Sequence, residues 1–251
     1  MLVLILSFVV SLIPSALIVR WLSRRKKDEL NYRNTCKGAL YRGLFCVLPV
    51  LGVSGVLYIT LALIRKFVYP DMHPLVYQFF YKFIVLAFAE ELVKFFCFKN
   101  LLKNYPGEWT WADLTAFMVI VGTGFGLIED IPYAIGASPI IMLVRGITMG
   151  HVGYAFTMGW LYGKMRYTGK KIYGFIGFML PFFLHGLYDF GLSDELLQVN
   201  DDLAIVAVSL ALLDLVLLFL MIRFFRRAPK KERYNQPLYQ LKNDVEKDAA
   251  I

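Results

Sequence analysis

Long apolar runs separated by short charged stretches dominate this chain. A helix needs about 20 mostly apolar residues to cross the hydrocarbon core of a bilayer. Seven stretches reach that length: Met1 to Leu22, Ala39 to Ile64, Val76 to Phe98, Ala112 to Ile135, Pro139 to Gly163, Ile172 to Leu192 and Leu203 to Phe225. They are apolar on all sides and about twice as long as the roughly 10-residue alternating strands of a membrane barrel, which excludes a barrel. The pattern predicts an all-α fold, a polytopic transmembrane helical bundle of about seven helices. Residues 1–225 form one membrane-embedded domain, and residues 226–251 form a basic, flexible cytosolic tail. No two halves look alike, which counts against a transporter built from repeats.

Composition agrees. Of 251 residues, 58% are hydrophobic and 18% charged, against roughly a half and a quarter in soluble domains. The net charge of +8 does not point to nucleic acid, because the basic residues sit in short loops and in the tail. With the N-terminus outside, the inner loops hold Arg24, Arg25, Lys26, Lys27, Arg33, Lys37, Lys99, Lys103, Lys164, Arg166, Lys170 and Lys171. The outer loops hold Arg65 and Lys66, and the last outer loop, SDELLQVNDD, is acidic. This asymmetry predicts a multi-pass cell-membrane protein with its C-terminus in the cytosol, attracted to anionic lipid headgroups. The first run lacks a leading basic stretch and is followed by RRKK, so it is expected to be an uncleaved helix rather than a signal peptide. Cys36, Cys46 and Cys97 are odd in number and lie in or beside apolar runs, so no disulfide framework is expected.

The chemistry lies in polar residues within the runs. A charged group at bilayer depth costs at least ~2.5 kcal/mol on insertion scales and by default marks function. The third run carries Glu90, Glu91 and Lys94; the fourth Glu129 and Asp130; the fifth Arg145 and His151; the sixth His185 and Asp189; the seventh Asp214. His151 and His185 fall near the middle of their runs, whereas His73 falls in an outer loop. Glu90 and Lys94 have the favourable spacing for a helical ion pair, and Glu91 points about 100° away. One carboxylate can therefore be neutralised while the other faces a cavity. His185 and Asp189 share one helix face, so both could bind a metal, or Asp189 could orient the imidazole. Pro181 is expected to kink that helix. Gly122, Gly124, Gly126, Gly146, Gly150 and Gly153 should let the fourth and fifth helices approach closely.

Hydrolysis fits such a site. Two histidines and a carboxylate can hold a divalent metal such as zinc, with a position open for water and a glutamate to take its proton. A metal-free version uses glutamate as the base and the histidines to polarise the carbonyl. A proton- or ion-coupled transporter, or a non-catalytic binding or immunity protein, could use the same residues. Neither HExxH nor GxSxG is present.

EELVK at Glu90 to Lys94 resembles the EExxK motif of the PrsW family of membrane proteases. FGLIE, from Phe125 to Glu129, resembles its FxxxE motif; His151 and HGLYD, from His185 to Asp189, resemble its later histidine and HxxxD motifs. The resemblance covers roughly Lys82 to Phe190. It implies peptide-bond hydrolysis in or beside a bacterial plasma membrane, on a membrane-anchored substrate cut near its outer juxtamembrane region. An anti-sigma factor in envelope-stress signalling is the substrate that the family suggests. It implies that Glu90 and Glu91 are the activating carboxylates, tuned by Lys94. Glu129, His151 and His185 would hold a divalent metal, expected to be zinc, with Asp189 as a fourth ligand or behind the ligands. Asp130 departs from the asparagine that often follows the glutamate of the second motif, and it adds a negative charge.

Overall fold

The computed structural model describes residues 2–136, 142, 145, 148–193, 196 and 204–228. The tail beyond Ala228, most of the acidic SDELLQVNDD loop, and Gly146 lie outside the described residues. Every regular element among the described residues is helical. In chain order these are α1 (Leu2–Ser23), α2 (Leu30–Phe45), α3 (Val47–Leu63), α4 (Pro74–Phe80), α5 (Ala89–Asn104), α6 (Trp111–Gly136), α7 (Gly150–Thr168), α8 (Ile172–Gly191) and α9 (Ala204–Arg227). Two wider π-helical stretches, Ile64–Val68 and Tyr81–Phe88, extend α3 and join α4 to α5. The helical bundle expected from the apolar runs is present, and Cys36, Cys46 and Cys97 are all free thiols.

By length and composition, Leu30–Val68 and Trp111–Ile135 are long and apolar enough to cross a membrane among the described residues. The outer helices show what surrounds them. On α3, Leu48, Leu51, Val56, Ile59 and Leu63 are all exposed. On α8 and α9 so are Phe175, Phe183, Val216 and Phe219. So many large apolar side chains on several helix faces fit a lipid surrounding, since patches this size are rare on soluble proteins. These exposed faces and the two long apolar helices agree with the membrane protein that the apolar runs predict.

The second helical rod starts at Leu30, earlier than the apolar run beginning at Ala39. Its first half is amphipathic. Tyr32, Thr35, Cys36, Ala39 and Gly43 are buried at helical spacing, while Arg33 and Lys37 lie exposed on another face. Averaged hydropathy misses a helix with one charged side.

α6 forms the centre, packed against α1, α2, α5 and α7. Phe117, Met118, Val119, Ile120 and Val121 within it are fully buried. Its start is fixed by a reciprocal cap. Thr110 N donates to Asp113 Oδ2 at 3.0 Å, and Asp113 N donates to Thr110 Oγ1 at 3.2 Å, which satisfies donors that a helix start leaves free. Lys26 reaches the same carboxylate at 2.9 Å and ties the α1–α2 turn to it.

The expected close packing of α6 on α7 holds at Gly122 and Gly126. A Cβ on Gly122 would lie 2.8 Å from His151 O, and one on Gly126 would lie 3.3 Å from the His151 ring. Gly124, however, faces α2, where a Cβ would lie 3.0 Å from Gly43 Cα. Residues 122 and 126 share one helix face and 124 lies nearly opposite, so the glycines serve two interfaces. Gly150 and Gly153 face Asp214 and Leu217 of α9 rather than α6. The helix α8 runs through Pro181 without interruption.

Candidate active site

The site forms where α5, α6, α7 and α8 meet. Two departures from regular α-helix precede its residues. The π stretch Tyr81–Phe88 ends just before Glu90, and π-helical turns often occur at functional sites. Its Phe83 and Phe88 pack on Phe182 of α8, with ring centroids 6.1 and 5.8 Å apart. This clamps the entry to α5. The second departure is at Met149, which sits in the left-handed region (φ 49°). The fifth apolar run therefore contains a break, and α7 begins at Gly150. His151 is in the first turn of a helix instead of the middle of one.

Lys94 is the hub. Its Nζ donates to Glu91 Oε1 at 2.8 Å, lies 3.3 Å from Glu90 Oε2 and 3.1 Å from His151 Nδ1, and sits 4.1 Å from the Phe125 ring centroid. The lysine was expected to pair at i, i+4 with Glu90; it reaches both glutamates and is nearer Glu91. Glu91 and Lys94 are fully buried, whereas Glu90 keeps a small exposure.

Glu91 Oε1 also accepts from His185 Nδ1 at 3.0 Å. That bond places the proton on Nδ1 and leaves Nε2 with a free lone pair. Nε2 lies 3.8 Å from Glu90 Oε2 and 3.7 Å from Asp189 Oδ2. Both gaps exceed a hydrogen bond, so Asp189 borders the ring and Glu91 orients it. Glu90 Oε2 is buried and receives no aligned hydrogen bond.

His151 stands edge-on to His185, with centroids 5.1 Å apart. Its Nε2 contacts Glu129 Oε2. Arg145 Nη2 lies 3.8 Å from Glu129 Oε1, and Arg145 Nε lies 3.3 Å from Asp130 Oδ1. The extra charge of Asp130 is thus matched by Arg145. Every site residue expected from the sequence is drawn into this cluster: Glu90, Glu91, Lys94, Glu129, His151, His185 and Asp189. Tyr154 was not anticipated. Its ring stacks on His185, with centroids 5.1 Å apart and planes at 20°, and its hydroxyl faces Asp214 of α9. Spacing hinted at it, since Tyr154 lies three residues after His151 on one helix face.

A cavity of about 60 Å³ is lined by Glu129, His151, Tyr154, His185, Tyr188 and Asp189, among others. It can hold a few waters. Glu90, His151 and His185 can each turn a ligand atom to within 4.8 Å of the others. Two imidazoles and a carboxylate form a donor set that suits zinc. Glu91 behind His185 matches the carboxylate that usually orients a metal-bound histidine. Five carboxylates here face Lys94 and Arg145, an excess of three negative charges. Buried charge of that sign calls for a cation or protons. The residues present therefore fit a divalent metal.

A polytopic helical membrane protein with two histidines and several acids converging on a water-sized cavity has the makings of an intramembrane hydrolase. The PrsW family intramembrane metalloprotease profile matches residues 40–221. The chain belongs to that family. It is 27% identical over 199 residues to Protease PrsW of Clostridioides difficile, covering 75% of this chain and 79% of the relative. It is 28% identical over 159 residues to Protease PrsW of Shouchella clausii (60% and 71%) and 30% identical over 111 residues to Protease PrsW of Geobacillus kaustophilus (43% and 49%). The chain thus spans about half the length of the Geobacillus relative. No solved structure matches it.

Proposed function

We propose that this protein is an intramembrane endopeptidase that uses one water, gathered between Glu90 and His185, to hydrolyse a peptide bond of a membrane-anchored protein. The observation that carries this is the pairing of Glu90 Oε2, buried without an aligned hydrogen bond, with His185 Nε2 at 3.8 Å. A water between them would donate to the carboxylate and accept nothing from the neutral imidazole, whose lone pair is free. Glu90 takes the water's proton as it attacks the carbonyl carbon, then passes it to the leaving amine. Lys94, held by Glu91, stabilises negative charge beside the reacting atoms.

A divalent metal, with zinc as the best match to the donors, would be held by His151, His185 and Glu129, with Asp189 at the margin, which leaves Glu90 as the base. It would polarise the carbonyl and acidify bound water. Glu91 acts through His185 and Lys94. We place the N-terminus outside and the C-terminus in the cytosol, from the basic inner loops. The substrate we propose is a single-span protein cut near its outer juxtamembrane region; an anti-sigma factor is the case that the family resemblance suggests.

The test is cleavage of a reconstituted membrane-anchored substrate by purified protein, with bound metal measured in the same sample. Wild type should cleave, and Glu90→Gln and His185→Ala should not. Stoichiometric metal with chelator-sensitive cleavage supports the metal form; cleavage without metal leaves Glu90 and His185 to act alone. Undiminished cleavage by both variants would overturn the assignment.

A further inference from the structure

We propose that the end of α1 and the start of α2 form a binding site for the headgroup of an anionic phospholipid. The site lies apart from the peptidase cluster, and the proposal does not depend on the reading of that cluster. A cavity of about 560 Å³ is lined by Arg20, Arg24, Lys27, Arg33 and Lys37, with Asp28 the one acid among the described residues that line it. All five basic side chains are exposed. No ion pair ties them to a carboxylate among the described residues, whereas their neighbour Lys26 is bound to Asp113 and Glu29. Five cations converging on one hollow repel each other, and a phosphate group would relieve that repulsion.

The helices leading into the hollow say which phosphate fits. On α1, Ile13 and Leu17 are exposed and apolar, and they continue at helical spacing into Arg20 and Arg24. On the second rod, Arg33 and Lys37 continue at the same spacing into Tyr41, Phe45 and Leu48, all exposed. Each wall of the hollow is therefore a lipid-facing stripe that ends in two cations. Trp21, next to Arg20 on α1 and partly exposed, marks the level of the bilayer interface, where tryptophan is enriched. Acyl chains lie along the stripes while the headgroup phosphate rests among the arginines. A basic inner loop needs only a count of charges to set topology. Convergence of side chains from two helices on one hollow exceeds that requirement and matches basic pockets that hold anionic lipids.

The test uses the full chain in neutral detergent. Native mass spectrometry and thermal stabilisation are followed on titration with phosphatidylglycerol, with phosphatidylcholine of the same chains, and with inorganic phosphate alone. The expected result is a saturable phosphatidylglycerol site, about tenfold tighter than phosphatidylcholine, that phosphate alone does not fill. Arg20→Gln/Arg24→Gln/Arg33→Gln/Lys37→Gln should abolish the headgroup preference, while Lys103→Gln/Lys170→Gln/Lys171→Gln, which removes exposed charge elsewhere, should keep it. If the quadruple variant does not fold, Arg24→Gln/Lys37→Gln should still cut the preference severalfold. Equal affinity for both lipids, or equal loss in the control variant, would overturn the site. Filling by phosphate alone would assign it to a free anion and overturn the lipid reading.

Discussion

The adjacent glutamates Glu90 and Glu91 should respond in opposite ways to the same isosteric substitution. Glu91 is fully buried and accepts from both Lys94 (2.8 Å) and His185 (3.0 Å) through one oxygen. Glu91→Gln keeps the shape but turns two charge-assisted bonds into ordinary ones. At about 1 kcal/mol or more lost for each, with Lys94 left facing Glu90 alone, a loss of roughly 2–4 kcal/mol is expected. For a chain of this size that lowers the melting temperature by roughly 5–15 °C. Glu90 is different, because its Oε2 is buried without an aligned hydrogen bond in a site with excess negative charge. Glu90→Gln gives up only the more distant of Lys94's two carboxylate contacts, at 3.3 Å, and relieves repulsion among the five acids, so the melting temperature should hold or rise by a few degrees. Cleavage should nonetheless fall by about 10³ or more, since the base is gone. Thermal unfolding in one detergent at one scan rate, beside cleavage of a reconstituted substrate, measures both. If Glu90→Gln lowers the melting temperature as much as Glu91→Gln, the division into a positioning and a reacting carboxylate is refuted.

Three further outcomes follow from the same geometry. Lys94→Met should strand Glu91 without its cation and cost about 3–5 kcal/mol, read as loss of folded protein on size exclusion and absence of cleavage. Gly126→Ala puts a methyl group 3.3 Å from the His151 ring and should reduce cleavage about tenfold with little change in melting temperature. Gly52→Ala, where a Cβ meets nothing within 4 Å, is the matched control and should behave as wild type. Tyr154→Phe keeps the ring on His185 but frees Asp214. It should lower stability by about 1–3 kcal/mol, because a buried acceptor loses its donor, while Tyr154→Phe/Asp214→Asn recovers part of that loss in the same melt.

Much of this was legible in the sequence because a bilayer makes charge conspicuous. Glu90, Glu91, Glu129, His151, His185 and Asp189 stand out against apolar neighbours, and the structure gathers all of them. Partner choice within the cluster was not legible. The i, i+4 rule favoured Glu90 for Lys94, yet a lysine stem is long enough to reach i+3 as well, and burial of Glu91 selected that contact. Asp189 has the right spacing to orient His185, but Glu91 supplies the hydrogen bond from another helix. Such long-range pairings depend on how α5 and α8 are rotated against each other, which periodicity does not encode. The same holds for Tyr154, an ordinary aromatic until its ring is found on His185. Averaged hydropathy also placed the start of the second rod too late, because a helix with one charged side dilutes its own signal.

The two backbone departures explain why those rotations were hidden. A helical wheel assumes 100° per residue throughout the run, but the π stretch Tyr81–Phe88 turns by less per residue. Every residue after it, Glu90, Glu91 and Lys94 included, therefore faces a direction that a wheel drawn from Val76 gets wrong. At Met149 the backbone turns left-handed (φ 49°), so a wheel carried through it misplaces His151. His151 then gains what mid-helix residues lack: a position in a first turn, where the local N–H groups are not all used by the helix and the positive end of the helix dipole points into the site. Five acids crowd that site, and a positive dipole end there offsets part of their repulsion. The break at Met149 thus contributes to the electrostatics that let this much negative charge stay buried.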